Sequence, residues 1–259
     1  MQRRFFGLFG MLSKSEISFI KSLHLKKYRK DHNLFIAEGF KSVSEFINSD
    51  YTIETIYCTA ALLPKLYKFS RKIKLVEITE AEISKVTALT TPQGVLATIR
   101  IPTRTEISAE GLKNAFTLVL DGVQDPGNLG TIIRTADWFG FTQILCSGDT
   151  VEVYNPKVVQ ATMGSLSRMK IHYTDLEKTL STSGLPIFGA LLNGTSVYEV
   201  DFGKEGLIVL GNEGKGITPA VQQIITEAVT IPRFGDAESL NVAVSSAIFC
   251  SEIKRKSIK

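Results

Sequence analysis

The stretch AFTLVLDGVQDPGNLGTIIRTA, residues 115–136, decides how this 259-residue chain reads. Its opening six residues form an apolar run of strand length, and Asp125-Pro126-Gly127 is a turn signature. Asn128 stands where it can cap a helix, and Leu129, Ile132, Ile133 and Ala136 recur at helical spacing on one face. Arg134 leaves that face. Asn128 and Arg134 are six residues apart, nearly two turns, so long side chains can converge near the helix start. Taken alone, the stretch reads equally well as a capped helix carrying a solvated arginine.

Downstream, the strand–helix unit repeats. Short apolar runs at 143–146, 186–191, 207–210 and 228–231 alternate with helical patterns at 129–138, 157–165, 218–227 and 240–253. That alternation predicts an α/β fold with a parallel sheet covered on both faces, whose ligands sit at the carboxyl ends of the strands. Upstream the pattern is shorter-ranged. Residues 13–25 read as a helix capped by Ser13, with Glu16 three residues on and a stripe of Ile17, Ile20 and Leu23. A strand at 33–39, a helix at 40–48, strands at 51–58, 72–78 and 95–99, and a turn at 90–94 complete a small αβ domain over 11–100. Residues 101–110, with Pro102 among alternating polar residues, read as a linker to a second domain at 111–259. Residues 1–10 (MQRRFFGLFG) lack the apolar length and cleavage site of a signal peptide. They read as a leader or an early start, with Met11 as the natural beginning.

Composition narrows the class. No run of eighteen apolar residues exists, so no membrane association is expected. Cys58, Cys146 and Cys250 are odd in number and far apart, which argues against a disulfide framework or a zinc site and fits a reducing cytoplasm. His24, His32 and His172 are scattered without ligand spacing, so no metal is expected. Residues 1–100 carry 16 Lys+Arg against 9 Asp+Glu, a net +7, and the remainder nets −3. A basic front half points to an anionic polymer, although the run KSLHLKKYRK at 21–30 also reads as a solvated helix end.

Two further loops follow buried strands. Gly211-Asn212-Glu213-Gly214-Lys215-Gly216 places three glycines in six residues, so the backbone either bends tightly or lets a ligand approach closely. It is neither a phosphate-binding loop, lacking Gly-Lys-Ser/Thr, nor a dinucleotide fingerprint, lacking Gly-x-Gly-x-x-Gly. In Ile231-Pro232-Arg233-Phe234-Gly235-Asp236-Ala237-Glu238-Ser239-Leu240-Asn241, Ser239 can cap a last helix whose Ala243, Ser245, Ser246 and Ala247 permit close packing. Each loop has a plain structural reading of its own.

The set is more specific than its members. Asp-Pro-Gly-Asn-x-Gly-x-Ile-x-Arg-Thr-Ala, then Gly-Asn-Glu-Gly-x-Gly, then Ile-Pro…Glu-Ser-Leu-Asn-Val resembles, in order and spacing, the three motifs of the SpoU (TrmH) family in the SPOUT superfamily of RNA 2′-O-ribose methyltransferases. The likeness covers about residues 115–259, and 154–165 resembles the family's segment between motifs. Phe35-Ile36-Ala37-Glu38-Gly39 and Pro92-Gln93-Gly94-Val95 are similar to the family's small substrate-binding domain. The resemblance implies a C-terminal parallel-sheet SPOUT domain with a deep trefoil knot, preceded by a small αβ RNA-binding domain. It implies S-adenosylmethionine as methyl donor, with Leu191, Leu192, Leu210, Gly211, Asn212, Gly214, Ile231, Ser239 and Leu240 as cofactor-binding positions. It implies Arg134, Asn128, Glu213, Ser239 and Asn241 as the catalytic set, and a homodimer acting on structured RNA.

The family view makes Arg134 the general base. A guanidinium pKa above about 12 instead favours stabilisation of the developing alkoxide and a nearby phosphate, with Glu213 accepting the proton or orienting Arg134. The expected reaction is ribose 2′-hydroxyl methylation, on ribosomal RNA in preference to transfer RNA. A non-catalytic RNA-binding protein of the same fold is the reading from another class, and a nucleotide-fold enzyme of small metabolites is a third. Asn128, Arg134, Glu213, Ser239 and Asn241 are all intact, which favours the enzyme; calorimetry with S-adenosylmethionine separates the first two.

Overall fold

The computed structural model describes residues 8–9, 11–68, 73–103 and 107–257. By packing, the chain forms two compact units: one is the chain up to Thr103 together with Tyr154–Ser167, the other the remainder.

The first unit begins with strand β1 (Leu8–Phe9), part of the stretch expected to be a leader; the rest of that stretch lies outside the described residues. Helix α1 (Lys14–Ser22) starts as the sequence predicts. The Ser13 hydroxyl accepts the Glu16 N–H, and the Glu16 carboxylate accepts the Ser13 N–H, a reciprocal capping box. It ends three residues before the expected Leu25. A second helix, α2 (Lys26–His32), follows, and its buried Arg29 donates to the carbonyls of Leu23 and His24 at 3.0 and 2.9 Å. Those acceptors at the α1 terminus are thereby satisfied, so the chain can turn at Leu25. Strand β2 (Leu34–Glu38), helix α3 (Phe40–Ile47), strand β3 (Ile53–Cys58), helix α4 (Leu63–Tyr67), strand β4 (Leu75–Glu77), helix α5 (Glu80–Val86) and strand β5 (Val95–Arg100) complete this part. The strands form a mixed sheet in the order β1-β4-β3-β5-β2.

Strand β6 (Phe116–Asp121) opens the second unit, followed by helix α6 (Pro126–Trp138) and strand β7 (Gln143–Cys146). Helix α7 (Pro156–Ala161) then packs on β2 within the first unit. The expected helix to residue 165 stops there, because Met163 and Gly164 adopt positive φ of 52° and 95°. The chain continues with strand β8 (Lys170–Tyr173), helix α8 (Leu176–Ser181), strands β9 (Ile187–Ser196) and β10 (Gly206–Gly211), helix α9 (Pro219–Gln222), strand β11 (Glu227–Thr230) and helix α10 (Val242–Ser257). The strands make the expected parallel sheet, ordered β11-β9-β10-β6-β7-β8 with every pair parallel. Its central strands are continuously buried, as sheets covered on both faces require. Helix α9 is shorter than the predicted 218–227. Ile224 and Ile225 pack into the apolar core, and Thr226 turns to bond Ile187, its hydroxyl accepting the Ile187 N–H at 2.8 Å.

Cys58, Cys146 and Cys250 are buried and unbridged. Burial pushes the Cys58 and Cys250 thiols up to about 11 and about 12, so neither is a nucleophile at neutral pH. No helix among the described residues is long and apolar enough to cross a membrane.

Glu82 anchors the first unit. Its carboxylate takes the Thr79 N–H at 2.8 Å and the Thr79 hydroxyl at 2.9 Å, and on its other oxygen the Leu12 N–H at 2.6 Å. The backbone bond from Thr79, ahead of burial, holds its pKa below the usual value. Replacing Glu82 by Ala is expected to lower stability by about 1–3 kcal/mol near neutral pH. A depressed folded pKa means this stabilisation is complete above the unfolded value and disappears as pH falls through the folded one. Urea titrations at neutral and acid pH should therefore show a gap between the two proteins that narrows in acid.

Candidate active site

The parallel sheet brings the carboxyl ends of β6, β10, β9 and β11 to one edge. Gly211 sits opposite Asp121 in register, and Val209 opposite Gly189. Of the expected cofactor positions, Leu210, Gly211 and Ile231 lie at or just beyond the ends of β10 and β11, whereas Leu191 and Leu192 lie within β9, past its pairing with β10 and inside the irregular stretch of its pairing with β11. Leu210 is buried, so only its main chain is available to a ligand. Leu191 is half-buried against the apolar core, Ile231 is half-buried, and Leu192 and Leu240 are exposed at 75% and 48%. Uncovered apolar side chains near main-chain N–H and C=O groups suit the face and edge of an adenine ring.

Gly211 resolves the choice the sequence left open. A Cβ there would lie 2.2 Å from the Gly216 carbonyl carbon, so its close approach is to the loop's own backbone. Asn212 and Gly216 exchange backbone hydrogen bonds at 3.0 and 2.9 Å, closing the loop on itself. The Asn212 Oδ1 accepts the N–H groups of Gly214 and Lys215, and its Nδ2 donates to the Gly122 carbonyl at 2.7 Å. The side chain of Asn212 and the N–H of Gly214 are thus engaged in shaping the loop. Asp121, not singled out in the sequence, is buried and accepts the Thr218 N–H at 2.7 Å, pinning the loop's far end to β6. A buried carboxylate closing an apolar strand was the available signal.

The helix caps differ from expectation, and the difference builds the site. Asp125, not Asn128, caps α6, its carboxylate accepting the Asn128 N–H at 2.8 Å with Pro126 in the first turn. Asn128 is therefore inside the helix, and its side chain is not used as the cap. Asn241, not Ser239, leads into α10: its Oδ1 accepts the N–H groups of Ala243 and Val244 at 2.9 and 3.3 Å. Asn241 Nδ2 donates to Asn128 Oδ1 at 3.0 Å, and Asn128 Nδ2 donates to Glu213 Oε1 at 2.6 Å. One residue from each of the three loops joins a single hydrogen-bonded chain.

Arg134 and Ser239 stand outside that chain. Arg134 is exposed on α6 and makes no hydrogen bond or ion pair among the described residues. Six residues separate it from Asn128, about 9 Å of axial rise and most of an extra turn, so the convergence expected from sequence is not made within this helix. Glu213 is tied to Asn128 rather than to Arg134. Ser239 is exposed in the loop between β11 and α10. Among the described residues, no group of three or more His, Cys, Asp or Glu is arranged to hold a metal ion.

A parallel α/β domain whose polar loops meet beside a closed glycine turn, with a mixed-sheet unit before it, defines an α/β class of protein with its candidate site at the carboxyl edge of the sheet. The SpoU rRNA Methylase family matches residues 115–251, and the MRM3-like substrate binding domain matches residues 14–97. The 23S rRNA (guanosine(2553)-2′-O)-methyltransferase RlmP of Bacillus subtilis (strain 168) is 31% identical over 239 residues, covering 90% of this chain and 94% of its own. Among solved structures, a TrmH-family protein from Porphyromonas gingivalis is 39% identical with a TM-score of 0.84, covering 95% of this chain and all of its own. An AdoMet-bound rRNA methyltransferase from Sinorhizobium meliloti is 27% identical with a TM-score of 0.85, covering 96% and 99%. This chain belongs to the SpoU rRNA Methylase family.

The Asn128→Asp variant tests the chain of bonds. It replaces the donor facing Glu213 by a second carboxylate, which should lower stability by about 1 kcal/mol at neutral pH. Repulsion raises a carboxyl pKa in the folded state, so the penalty should be relieved as pH falls through that raised value. Melting temperatures that match the unmodified protein across the pH range would show that the contact contributes nothing.

Proposed function

We propose that this chain transfers a methyl group from S-adenosylmethionine to a ribose 2′-hydroxyl of ribosomal RNA. The observation that carries the reading is the Asn241–Asn128–Glu213 chain, which gathers all three motif loops at the carboxyl edge of a parallel sheet. The relatives support the target class: RlmP is named as a 23S rRNA 2′-O-methyltransferase, as are two RlmB proteins that match 54% and 55% of this chain.

When bound, S-adenosylmethionine supplies an electrophilic sulfonium methyl. The main chain of Leu210, Gly211 and Ile231 and the carbonyl of Gly214, with Leu191, Leu192 and Leu240 as apolar cover, would hold it; Asn212 would shape that wall, and Ser239 would flank it. The 2′-oxygen must lose its proton as it gains the methyl. With Oε1 held by Asn128, Glu213 keeps Oε2 to take that proton, and Asn128 and Asn241 fix its position. Arg134 lies outside this network and, as a permanent cation, stabilises negative charge growing on the 2′-oxygen and a neighbouring phosphate.

Residues 111–259 form the methyltransferase domain in this reading and 11–100 the RNA-binding domain. The loop 231–241, leading into an α10 that packs on both α6 and β10, fits the deep trefoil knot of the family. A homodimer completes the site. Exposed positions 127, 131, 134 and 138 form a stripe along α6, with Trp138 84% exposed beside Arg134 one turn away, and Val244 is 49% exposed on α10. Such uncovered apolar groups mark a contact surface. Action on ribosomal RNA supports a cytoplasmic location.

The test is methyl incorporation from labelled S-adenosylmethionine into ribosomal RNA of cells lacking the gene, followed by mapping of ribose methylation. Incorporation into transfer RNA alone, or none, would overturn the proposed target. Arg134→Ala should reduce turnover by about 10²–10³-fold while S-adenosylmethionine affinity, read by calorimetry, stays within about twofold. An active variant would remove Arg134 from the mechanism.

A further inference from the structure

We infer that the outward face of α2 holds a single-stranded stretch of the RNA, with its lysines on phosphates and its aromatic rings beneath a base. The inference rests on the RNA-directed function proposed above and adds where that RNA is gripped. Lys26, Lys27, Tyr28, Lys30 and His32 are all exposed on this helix, and Asp31 is its one acid. None of the three lysines is in an ion pair among the described residues. The rings of Tyr28 and His32, one helical turn apart, lie within 12° of parallel with centroids 6.4 Å apart. Phe19 of α1 meets His32 edge-on at 5.0 Å, and the Lys27 ammonium lies 5.9 Å from the Tyr28 ring centre.

The backbone beneath this surface is anchored from inside. Arg29 faces inward, only 2% exposed, and its bonds to Leu23 and His24 fix the corner on which the helix stands. Asn33, at φ 52°, closes the helix in the left-handed conformation. A near-parallel ring pair bordered by three ammonium groups outside any ion pair among the described residues matches a ligand with a repeating anionic backbone and exposed aromatic faces. Single-stranded RNA has both, whereas a paired A-form helix keeps its base faces stacked inside. The net charge of +7 over residues 1–100 adds attraction to the same partner.

The experiment uses the full chain and two labelled RNAs of equal length, a hairpin with an unpaired loop and a fully paired duplex, with binding followed by fluorescence anisotropy over a range of salt. The triple variant Lys26→Ala, Lys27→Ala, Lys30→Ala should flatten the dependence of log affinity on log salt by about two, the loss of three phosphate contacts on a single strand. Tyr28→Ala should bind the hairpin about ten-fold more weakly with an unchanged salt slope, leave duplex binding alone, and be rescued by Tyr28→Phe. In methyl transfer, the same variants should raise the KM for RNA with kcat unchanged. Unaltered hairpin binding in both variants overturns the inference, and so does an equal Tyr28→Ala loss on hairpin and duplex. If the unmodified protein transfers no methyl while the α2 variants still lose RNA, the proposed reaction fails and this surface stands. If methyl transfer proceeds with unchanged KM, the surface fails alone.

Discussion

Everything at the candidate site depends on the direction of one hydrogen bond. The oxygen of the Asn241 side chain is committed to the first N–H groups of α10, so its amide nitrogen is left to point outward as a donor. Asn128 must meet a donor with its oxygen, which turns its own nitrogen toward Glu213. The polarity of the whole chain is thereby set by a helix terminus. An aspartate at either position would lack the donor, and a glutamine would carry its amide one bond too far. Two asparagines and a carboxylate are what this geometry accepts.

That constraint explains the loops around it. For Glu213 to reach Asn128, the chain after β10 must reverse at once, which it does through the paired backbone bonds of Asn212 and Gly216. Reversal this tight brings Gly216 against Gly211, where no Cβ fits. The glycines therefore serve the turn, and the turn serves the carboxylate. Any ligand at this edge meets a wall already closed, consistent with recognition through main-chain groups and the uncovered leucines.

Much of this was legible in the residues. The parallel sheet followed from uninterrupted apolar runs, and the Ser13 capping box was read correctly from Glu16 three residues on. Sequence and structure part where two caps compete. Asp125-Pro126 and Asn128 can each begin α6; a proline fixed in the first helical turn favours Asp125, a preference the sequence carried. Ser239 and Asn241 pose the same choice for α10, settled by the bond Asn241 makes to Asn128, 113 residues away. No local pattern encodes that. The break between α1 and α2 likewise depends on where Arg29 sends its guanidinium. By contrast Thr79 and Glu82, which cap α5, were a readable signal that lay beside a weak apolar pattern.

Arg134 shows what a site requires beyond the residues that compose it. As an exposed guanidinium it faces water, where attraction to a unit negative charge about 4 Å away is about 1 kcal/mol, against about 4 kcal/mol where the effective dielectric falls to about 20. Stabilising an alkoxide is therefore effective only once something covers the Arg134 face of α6. In the proposed mechanism RNA and a second copy of the chain are the covers, and Trp138 one turn away supplies apolar surface for such a contact. The Asn241–Asn128–Glu213 chain is positioned without such a cover, since its members are held by one another and by the start of α10. In the proposed mechanism, then, the proton acceptor is positioned by the fold of one chain, whereas charge stabilisation by Arg134 would wait on assembly and on bound substrate.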